Sequence, residues 1–255
     1  MEPILKVSGL TKTFSRQGQA DFTAVKNISF DLFPGECLAI IGESGSGKTT
    51  AVNMIARLVD VTSGSVFLDG EDITNRKGKP LREVYRTMQM FFQTPADSFD
   101  PRRTLGDGIG ESLRNAGLSR KETREKVEAL LKDCGLPPEY AGRYPHQVSG
   151  GQCQRAAIAR ALAIAPRLLI CDEITSALDV TVQKEILELL NTLRTQQGRD
   201  LSILFICHDI SLVQQFCDRV LVMYHGEIVE EGTPDEVIRN PQNDYTKRLI
   251  DSVLS

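Results

Sequence analysis

The sequence lacks features on which several classes of protein depend. Its six cysteines are widely spaced with no CxxC pair, which argues against a zinc ribbon, a redox motif or a disulfide framework and predicts buried free thiols. The formal net charge of −4 supplies no net positive field to attract nucleic acid. The stretch MEPILKVSGL has no basic region followed by an apolar run, and no segment reaches the roughly 18 uncharged apolar residues of a membrane span. We therefore expect any role at a membrane to be peripheral.

The 255 residues contain no internal repeat or low-complexity linker, and they suffice for one compact unit with two lobes. Short apolar runs rich in Val, Ile and Phe alternate with helical patterns, which predicts an α/β fold with a buried parallel sheet. These runs are ILKVSGL, NISFDLF, CLAIIG, SVFLDG, MQMFF, RLLICDE, SILFIC and RVLVMY. The first two runs and SVFLDG lie too close together for helical crossovers, so they predict a small antiparallel sheet at the N-terminal side.

Two further regions have helical patterns. From residue 104 to about residue 144 the chain carries charged, helix-forming segments such as RKETREKVEALLKDCG, which end at Gly135 and the proline pair at 137–138. This pattern predicts an inserted helical lobe. The tail DEVIRNPQNDYTKRLIDSVLS predicts two short helices separated by the Asn-Pro dipeptide at 240–241.

The segment GESGSGKT follows the apolar run CLAIIG and precedes the helical pattern TAVNMIARLV, which is the strand, loop and helix context of a phosphate loop. Backbone N–H groups and the partial positive charge of the helix N-terminus would cradle phosphate there. Lys48 would reach the β- and γ-phosphates, and Thr49 would ligate Mg²⁺. The residues predicted to contact a nucleotide in this loop are Gly42, Ser44, Gly45, Ser46, Gly47, Lys48, Thr49 and Thr50.

Polar side chains end three other predicted strands. Asp172 and Glu173 end the run LLICDE. Strand alternation sends their side chains in opposite directions. Asp172 can therefore hold the Mg²⁺ shell, while Glu173 can act on a water that attacks the γ-phosphate. His208 follows SILFIC, and Gln93 follows MQMFF. Because ligands of open α/β sheets bind at the carboxyl ends of the strands, these residues are expected to converge on the phosphate loop.

A second glycine turn, VSGGQ at residues 148–152, lies about a hundred residues after the phosphate loop. Ser149 and the N–H groups of Gly150 and Gly151 at a helix start would form another anion site. Gln152 completes the motif. One nucleotide in one chain does not require two such turns.

Together these motifs resemble the nucleotide-binding subunit of ATP-binding cassette (ABC) transporters, over nearly the whole chain. The resemblance implies an ATPase that uses ATP and Mg²⁺ and couples hydrolysis to transmembrane transport. It implies a P-loop NTPase core with a parallel sheet, an N-terminal antiparallel β-subdomain, and an α-helical subdomain inserted at about residues 94–160. In that family VSGGQ corresponds to the signature motif, which closes over ATP bound to the phosphate loop of a second subunit in a head-to-tail dimer. The second turn would thus serve the partner's nucleotide.

The same resemblance assigns roles to residues at the strand ends. Glu173 is expected to be the general base and His208 to contact the γ-phosphate. Gln93 is expected to link Mg²⁺ and water to the transmembrane partner, and Asp179 of the SALD segment to communicate across the dimer. The expected Mg²⁺ ligands are Thr49, Gln93 and Asp172.

An aromatic side chain is expected to stack on adenine. Phe14 is the first choice, and Phe22 is the alternative because the insertion SRQGQADFT lengthens this region. The chain departs from the commonest family pattern at Val148, Cys153 and Cys171. These residues are similar in size and apolar character to the usual ones, so they leave the resemblance intact.

Longer segments resemble the peptide and nickel import branch of the family. They are FFQTPADSFDPRRT, RYPHQVSGGQ, TSALDVTVQ and NDYTKRLIDSV. The short ending, without a cysteine cluster, favours nickel or a metal chelate over a di- or oligopeptide. The implied partners are two transmembrane permease subunits, a second ABC ATPase subunit, for which a heterodimer is preferred, and an extracytoplasmic substrate-binding protein. The implied location is the cytoplasmic face of the inner membrane.

Two other functions compete with this one. A soluble ABC ATPase acting on nucleic acid or ribosomes typically carries tandem cassettes, long coiled coils or zinc inserts, and this sequence has none of them. A nucleotide-gated structural module with negligible turnover would not need Glu173 or His208. We therefore expect a transport ATPase with no nucleic-acid partner.

Overall fold

The computed structural model describes residues 1–15, 18, 20–91, 99–172, 180–196, 200–207 and 209–254. Of residues 180, 253 and 254 it describes the backbone alone. The strands are β1 (Leu5–Phe14), β2 (Phe22–Leu32), β3 (Cys37–Ile41), β4 (Ser63–Leu68), β5 (Glu71–Asp72), β6 (Met88–Phe91), β7 (Leu168–Asp172), β8 (Ser202–Ile206), β9 (Arg219–Tyr224) and β10 (Glu227–Gly232). The helices are α1 (Lys48–Ile55), α2 (Gly78–Thr87), α3 (Leu105–Asn115), α4 (Arg120–Asp133), α5 (Gly150–Leu162), α6 (Val180–Thr195), α7 (Ile210–Phe216), α8 (Pro234–Arg239) and α9 (Asp244–Leu254).

The smaller sheet has four antiparallel strands in the order β2-β1-β4-β5. It confirms the antiparallel sheet predicted from the closely spaced runs. Its two-residue edge strand β5 was not predicted, although the turn before it has a clear signal. Asp69 and Gly70 both have positive φ, of 51° and 77°, as an Asp-Gly hairpin turn requires.

The larger sheet has the order β10-β9-β3-β8-β7-β6. Its five strands β9, β3, β8, β7 and β6 run parallel, and β10 pairs antiparallel with β9 at one edge. Both β3 and β8 are buried along their full length, which explains why all their residues except Ser202 are apolar. One face of this sheet packs on α1 and the smaller sheet, and the other packs on α3, α5, α6 and α7. The predicted α/β fold class is confirmed.

The charged region after residue 104 is helical. Thr104 caps α3, and Ser119 and Glu122 form a capping box at the start of α4. The residues Thr123, Val127 and Leu131, spaced four apart, are buried on one face of α4. Two short 3₁₀ helices, Pro138–Gly142 and Pro145–Gln147, lead to α5. The limits of 94–160 for a separate subdomain stay a prediction.

All six cysteines are buried as free thiols, which confirms the burial predicted for them. Burial also raises the pKa of the Cys171 thiol, on β7, well above its usual value. Among the described helices, none combines the length and the apolar character needed to cross a membrane.

Candidate nucleotide site

The segment 42–47 joins the central strand β3 to α1, so the loop lies at the carboxyl edge of the parallel sheet. The backbone register puts Asp172, the last residue of β7, opposite Ile206, and Ile206 opposite Ile40. Asp172 is therefore level with the end of β3 and two strands away, which is about 10 Å at the usual strand spacing. The loop and Asp172 share the edge at which such sheets bind ligands.

Two glycines of the loop have backbone conformations and neighbours that exclude a side chain. Gly42 has φ of 147° and Gly47 has φ of 105°. A Cβ at Gly42 would lie 2.2 Å from the carbonyl oxygen of Met223, and a Cβ at Gly47 would lie 2.4 Å from that of Ala24. The backbone of the loop is therefore packed directly on β9 and β2, which fixes its shape.

Replacing Gly47 by alanine is expected to lower the free energy of unfolding by about 3 kcal/mol or more, because strain at positive φ adds to a backbone clash. Gly45 is the matched control. It also has positive φ, of 82°, but a Cβ there meets nothing within 4 Å. Gly45→Ala should therefore cost only about 1 kcal/mol. Urea unfolding of both variants measures the difference, and equal losses would show that packing on Ala24 does not constrain the loop.

Lys48 is folded back into the loop. Its Nζ donates to the carbonyl oxygens of Gly42, at 2.7 Å, and Glu43, at 2.8 Å, and to Ser46 Oγ, at 3.4 Å. Lys48 is buried, with only 5% of its surface exposed. Helix α1 begins at Lys48, and the N–H groups of its first turn have no intrahelical acceptor, as at the start of any helix. The residue that precedes them, Gly47, supplies no side-chain cap. An ammonium group beside such N–H groups is an arrangement that can bind a polyphosphate.

The other predicted residues of the loop lie in the same turn and the helix start. Gly45, Ser44 and Thr49 are exposed, and Thr50 is half-buried. The carboxylate of Asp172 and the hydroxyl of Thr49 are hard oxygen donors on elements that meet at one edge of the sheet, so this donor set fits Mg²⁺.

The glycine turn at Ser149 starts α5. Ser149 Oγ accepts from Gln152 N at 3.3 Å, and Gln152 Oε1 accepts from Ser149 N at 3.0 Å, which is a capping box. Together with Gly150 and Gly151 these residues line a cleft of about 650 Å³ that also includes Tyr140. No residue of the phosphate loop is among the described residues that line this cleft. The two glycine turns therefore open onto different sites.

Phe14 and Phe22 are cross-strand partners on β1 and β2, so they share one face of the hairpin. Both are open to solvent, with 39% and 61% of their surface exposed. The Nζ atom of Lys12 lies 5.1 Å from the ring centroid of Phe14. The choice between the two aromatic residues stays open.

Gln93, Glu173, Asp179 and His208 lie outside the described residues. The strands that precede three of them are described. β6 ends at Phe91, β7 ends at Asp172 and β8 ends at Ile206, all at the edge where the loop follows β3. The roles expected for these four residues stay predictions.

Sequence reasoning missed four contacts of the phosphate loop, two of which are the packing of Gly42 on Met223 and of Gly47 on Ala24. In the other two, Gly226 donates its N–H to the carbonyl oxygen of Ser46 at 2.9 Å, and Tyr245 Oη accepts from Glu43 N at 2.9 Å. The His-Gly dipeptide between β9 and β10 is a recognisable turn signal. Nothing local in the sequence connects Tyr245 with the loop.

Comparison with known proteins identifies related chains. A family model described as ABC transporter matches residues 25–176. The oligopeptide transport ATP-binding protein OppF of Salmonella typhimurium is 47% identical over 232 residues, which cover 90% of this chain and 69% of that protein. The glutathione import ATP-binding protein GsiA of Salmonella paratyphi A is 46% identical over 259 residues. That match covers 99% of this chain but only 41% of GsiA, so the chain spans less than half of that relative.

Solved structures share the fold. The structure of cbiO1 from Clostridium perfringens, described as part of the ABC transporter complex cbiONQ, superposes with a TM-score of 0.83 at 29% identity and covers 94% of this chain and 92% of that one. The ATP-binding cassette MJ0796, described as a dimer in a post-hydrolysis state bound to ADP and Pi, superposes with a TM-score of 0.80 at 31% identity and covers 90% of this chain and 98% of that one.

Proposed function

This chain belongs to the ABC transporter family, and from that premise we propose that it is the subunit that binds and hydrolyses ATP to drive an importer of short peptides. The observation that carries the proposal is the 47% identity to an oligopeptide transport ATP-binding protein over 90% of the chain. The second relative imports glutathione, which is also a peptide. The preference for nickel or a metal chelate came from the short ending of the sequence, and these relatives give it no support.

The phosphate loop is proposed to bind the triphosphate of ATP. Lys48 already lies among the loop carbonyls, and it would keep its hydrogen bond to Gly42 while exchanging the oxygens of Glu43 and Ser46 for those of the β- and γ-phosphates. N–H groups of residues 45–48 would bind the remaining phosphate oxygens. The adenine would stack on Phe14 or Phe22, which stand together on the exposed face of the hairpin.

Thr49, Asp172 and Gln93 are the residues proposed to hold Mg²⁺. When bound, this ion neutralises charge on the β- and γ-phosphates. Glu173 would accept a proton from the water that attacks the γ-phosphate, and His208 would donate a hydrogen bond to that phosphate. The support for this arrangement is that β3, β6, β7 and β8 end at one edge of the sheet.

The turn at Ser149 is proposed to bind the γ-phosphate of ATP held by a second ATPase subunit, either a related chain or a copy of this one. Its support is the separate cleft that it lines. Asp179 would contact the partner across the same interface. Two ATP molecules would then be enclosed between two subunits, and their hydrolysis would let the two subunits separate.

Coupling to transport requires docking on membrane subunits, because solute selection needs a pocket that faces the solute. We place this docking on α3, α4 and the adjoining 3₁₀ helix, around a cleft of about 900 Å³. Its lining includes Arg103, Arg114 and Arg124, and also Thr123, whose buried hydroxyl has no hydrogen-bond partner in the described part of the chain. Gln93 would connect this surface to the nucleotide, so that closure moves the permeases as rigid bodies. The chain would thus work at the cytoplasmic face of the inner membrane, with an extracytoplasmic binding protein delivering the peptide.

Uptake assays test the proposed substrate. In cells from which the gene is deleted, uptake of a labelled dipeptide or of glutathione should fall to background, whereas uptake of labelled nickel, with or without a chelator, should not change. Complementation with the normal chain should restore peptide uptake, and the Lys48→Ala variant should not. Lost nickel uptake with normal peptide uptake would overturn the peptide assignment and favour a metal chelate.

A further inference from the structure

The C-terminal helix α9 makes a direct contact with the phosphate loop. Tyr245 Oη accepts a hydrogen bond of 2.9 Å from the backbone N–H of Glu43, although the two residues are 202 positions apart in the chain. Tyr245 is only 4% exposed. Burial raises the pKa of its phenol, so the hydroxyl stays neutral at physiological pH.

This contact holds one end of a peptide unit whose other end holds Lys48. The Glu43 N–H and the Gly42 carbonyl belong to the same peptide bond, and Lys48 Nζ donates to that carbonyl at 2.7 Å. Because a peptide unit is planar and trans, its N–H and C=O groups point in opposite directions. A hydroxyl that fixes the N–H therefore also fixes the direction of the carbonyl that holds Lys48.

Tyr245 is itself held firmly. Its ring stacks on Tyr224 with centroids 3.9 Å apart and an angle of 23° between the planes. Glu230 accepts from the backbone N–H groups of Gln242, at 2.7 Å, and Asn243, at 3.0 Å, which anchors the start of α9. The side chain of Asn243 then accepts from Tyr245 N at 2.8 Å.

The stacking partner belongs to the strand that supports the loop. Tyr224 ends β9, one residue after Met223, whose carbonyl packs on Gly42. The turn that follows includes Gly226, whose N–H donates to Ser46 at 2.9 Å. Tyr245 thus completes a support that holds the loop at both of its ends.

We propose that Tyr245 is a positioning residue for the phosphate loop, which acts through the Gly42–Glu43 peptide to hold the Lys48 ammonium group where the β- and γ-phosphates of ATP arrive. This inference rests on the proposed function, since it concerns the same nucleotide site. It adds α9 to the elements that determine nucleotide affinity.

The proposal predicts an effect on binding with little effect on catalysis. In Tyr245→Phe a water molecule can satisfy the Glu43 N–H but does not fix its direction, so Lys48 is less well placed before ATP binds. The dissociation constant and KM for ATP should rise about fivefold, the scale of one hydrogen bond. Once ATP is bound, its phosphate oxygens hold Lys48 directly, so kcat at saturating ATP should stay within about twofold of normal.

Tyr85→Phe is the matched control. Tyr85 Oη donates to the carbonyl oxygen of Ala56 at 3.2 Å, just beyond the opposite end of α1 from the loop, and burial raises the pKa of that phenol too. Each variant loses one partly buried hydroxyl hydrogen bond and keeps its ring. Thermal unfolding should therefore report similar small losses of stability for both, whereas only Tyr245→Phe should lose ATP affinity.

Calorimetric titration of the full chain with ATP and Mg²⁺ measures the dissociation constant, and hydrolysis kinetics then give KM and kcat. A fivefold weaker affinity confined to Tyr245→Phe, with kcat retained, supports the proposal. If the normal chain binds ATP, the proposal is overturned by normal ATP affinity in Tyr245→Phe or by equal weakening of ATP affinity in both variants. Failure of the normal chain to bind ATP would overturn the proposed function and this inference with it.

Discussion

Lys48→Ala should weaken ATP binding to the isolated chain by at least about a hundredfold. The side chain supplies the one ammonium group placed by the described residues of the loop, and a charge-assisted hydrogen bond contributes about 1.5–3 kcal/mol. Two such bonds to phosphate correspond to a hundredfold or more, since each 1.4 kcal/mol is a factor of ten. Titration calorimetry measures the loss directly, and thermal unfolding checks that the variant is folded.

Ser149→Arg is the companion variant, because it alters the other glycine turn. Ser149 lines a cleft that the phosphate loop does not reach in the described part of the chain, so ATP should bind the isolated variant normally. Its added bulk and charge should instead block the association of two ATPase subunits that ATP drives. Sedimentation with and without ATP, alone and with a partner ATPase subunit, measures this association. A loss of ATP affinity by the isolated Ser149→Arg chain would assign both turns to one nucleotide and contradict the shared site.

Glu173→Gln should lower steady-state ATP hydrolysis by at least about a hundredfold and leave ATP binding intact. The amide keeps the size and hydrogen bonding of the carboxylate but cannot accept the proton from water, and general-base catalysis contributes factors of about a hundred or more. Turnover by the purified chain and its ATP affinity are measured on the same preparation.

Glu188→Gln provides the control for that substitution. Glu188 is exposed on α6, so the same chemical change there should leave turnover normal. Normal turnover in Glu173→Gln would remove that residue from the role of general base. Equal losses in both variants would indicate a general effect of the charge.

The sequence predicted the strands whose signals are local. All eight apolar runs are strands, and the tail forms α8 and α9 on either side of the Asn-Pro dipeptide. The missed edge strand β10 reads EIVEEG, where three glutamates in six residues hide the β pattern. Helix α2 was missed although Leu81, Val84 and Tyr85 repeat at helical spacing, so an apolar face was present in the sequence and was not used.

The site was predictable in a similar way. The phosphate loop and the glycine turn at Ser149 are encoded within eight and five residues, respectively, so motif spacing sufficed to find them. The support beneath the loop was not predictable, because Met223, Gly226 and Tyr245 join it through tertiary packing across about two hundred residues. Contacts of that kind depend on how the sheet and α9 assemble, and short sequence patterns carry no record of them.

Purification from membranes tests most directly whether this chain powers an importer. The tagged chain would be expressed in the cells that naturally make it, extracted in detergent, and its partners identified by mass spectrometry. We predict that polytopic permease subunits and a second ATPase subunit are recovered with it, and that a peptide-loaded binding protein stimulates ATP hydrolysis by the complex. Recovery of the chain with ribosomes or nucleic acid, and without membrane proteins, would contradict the account.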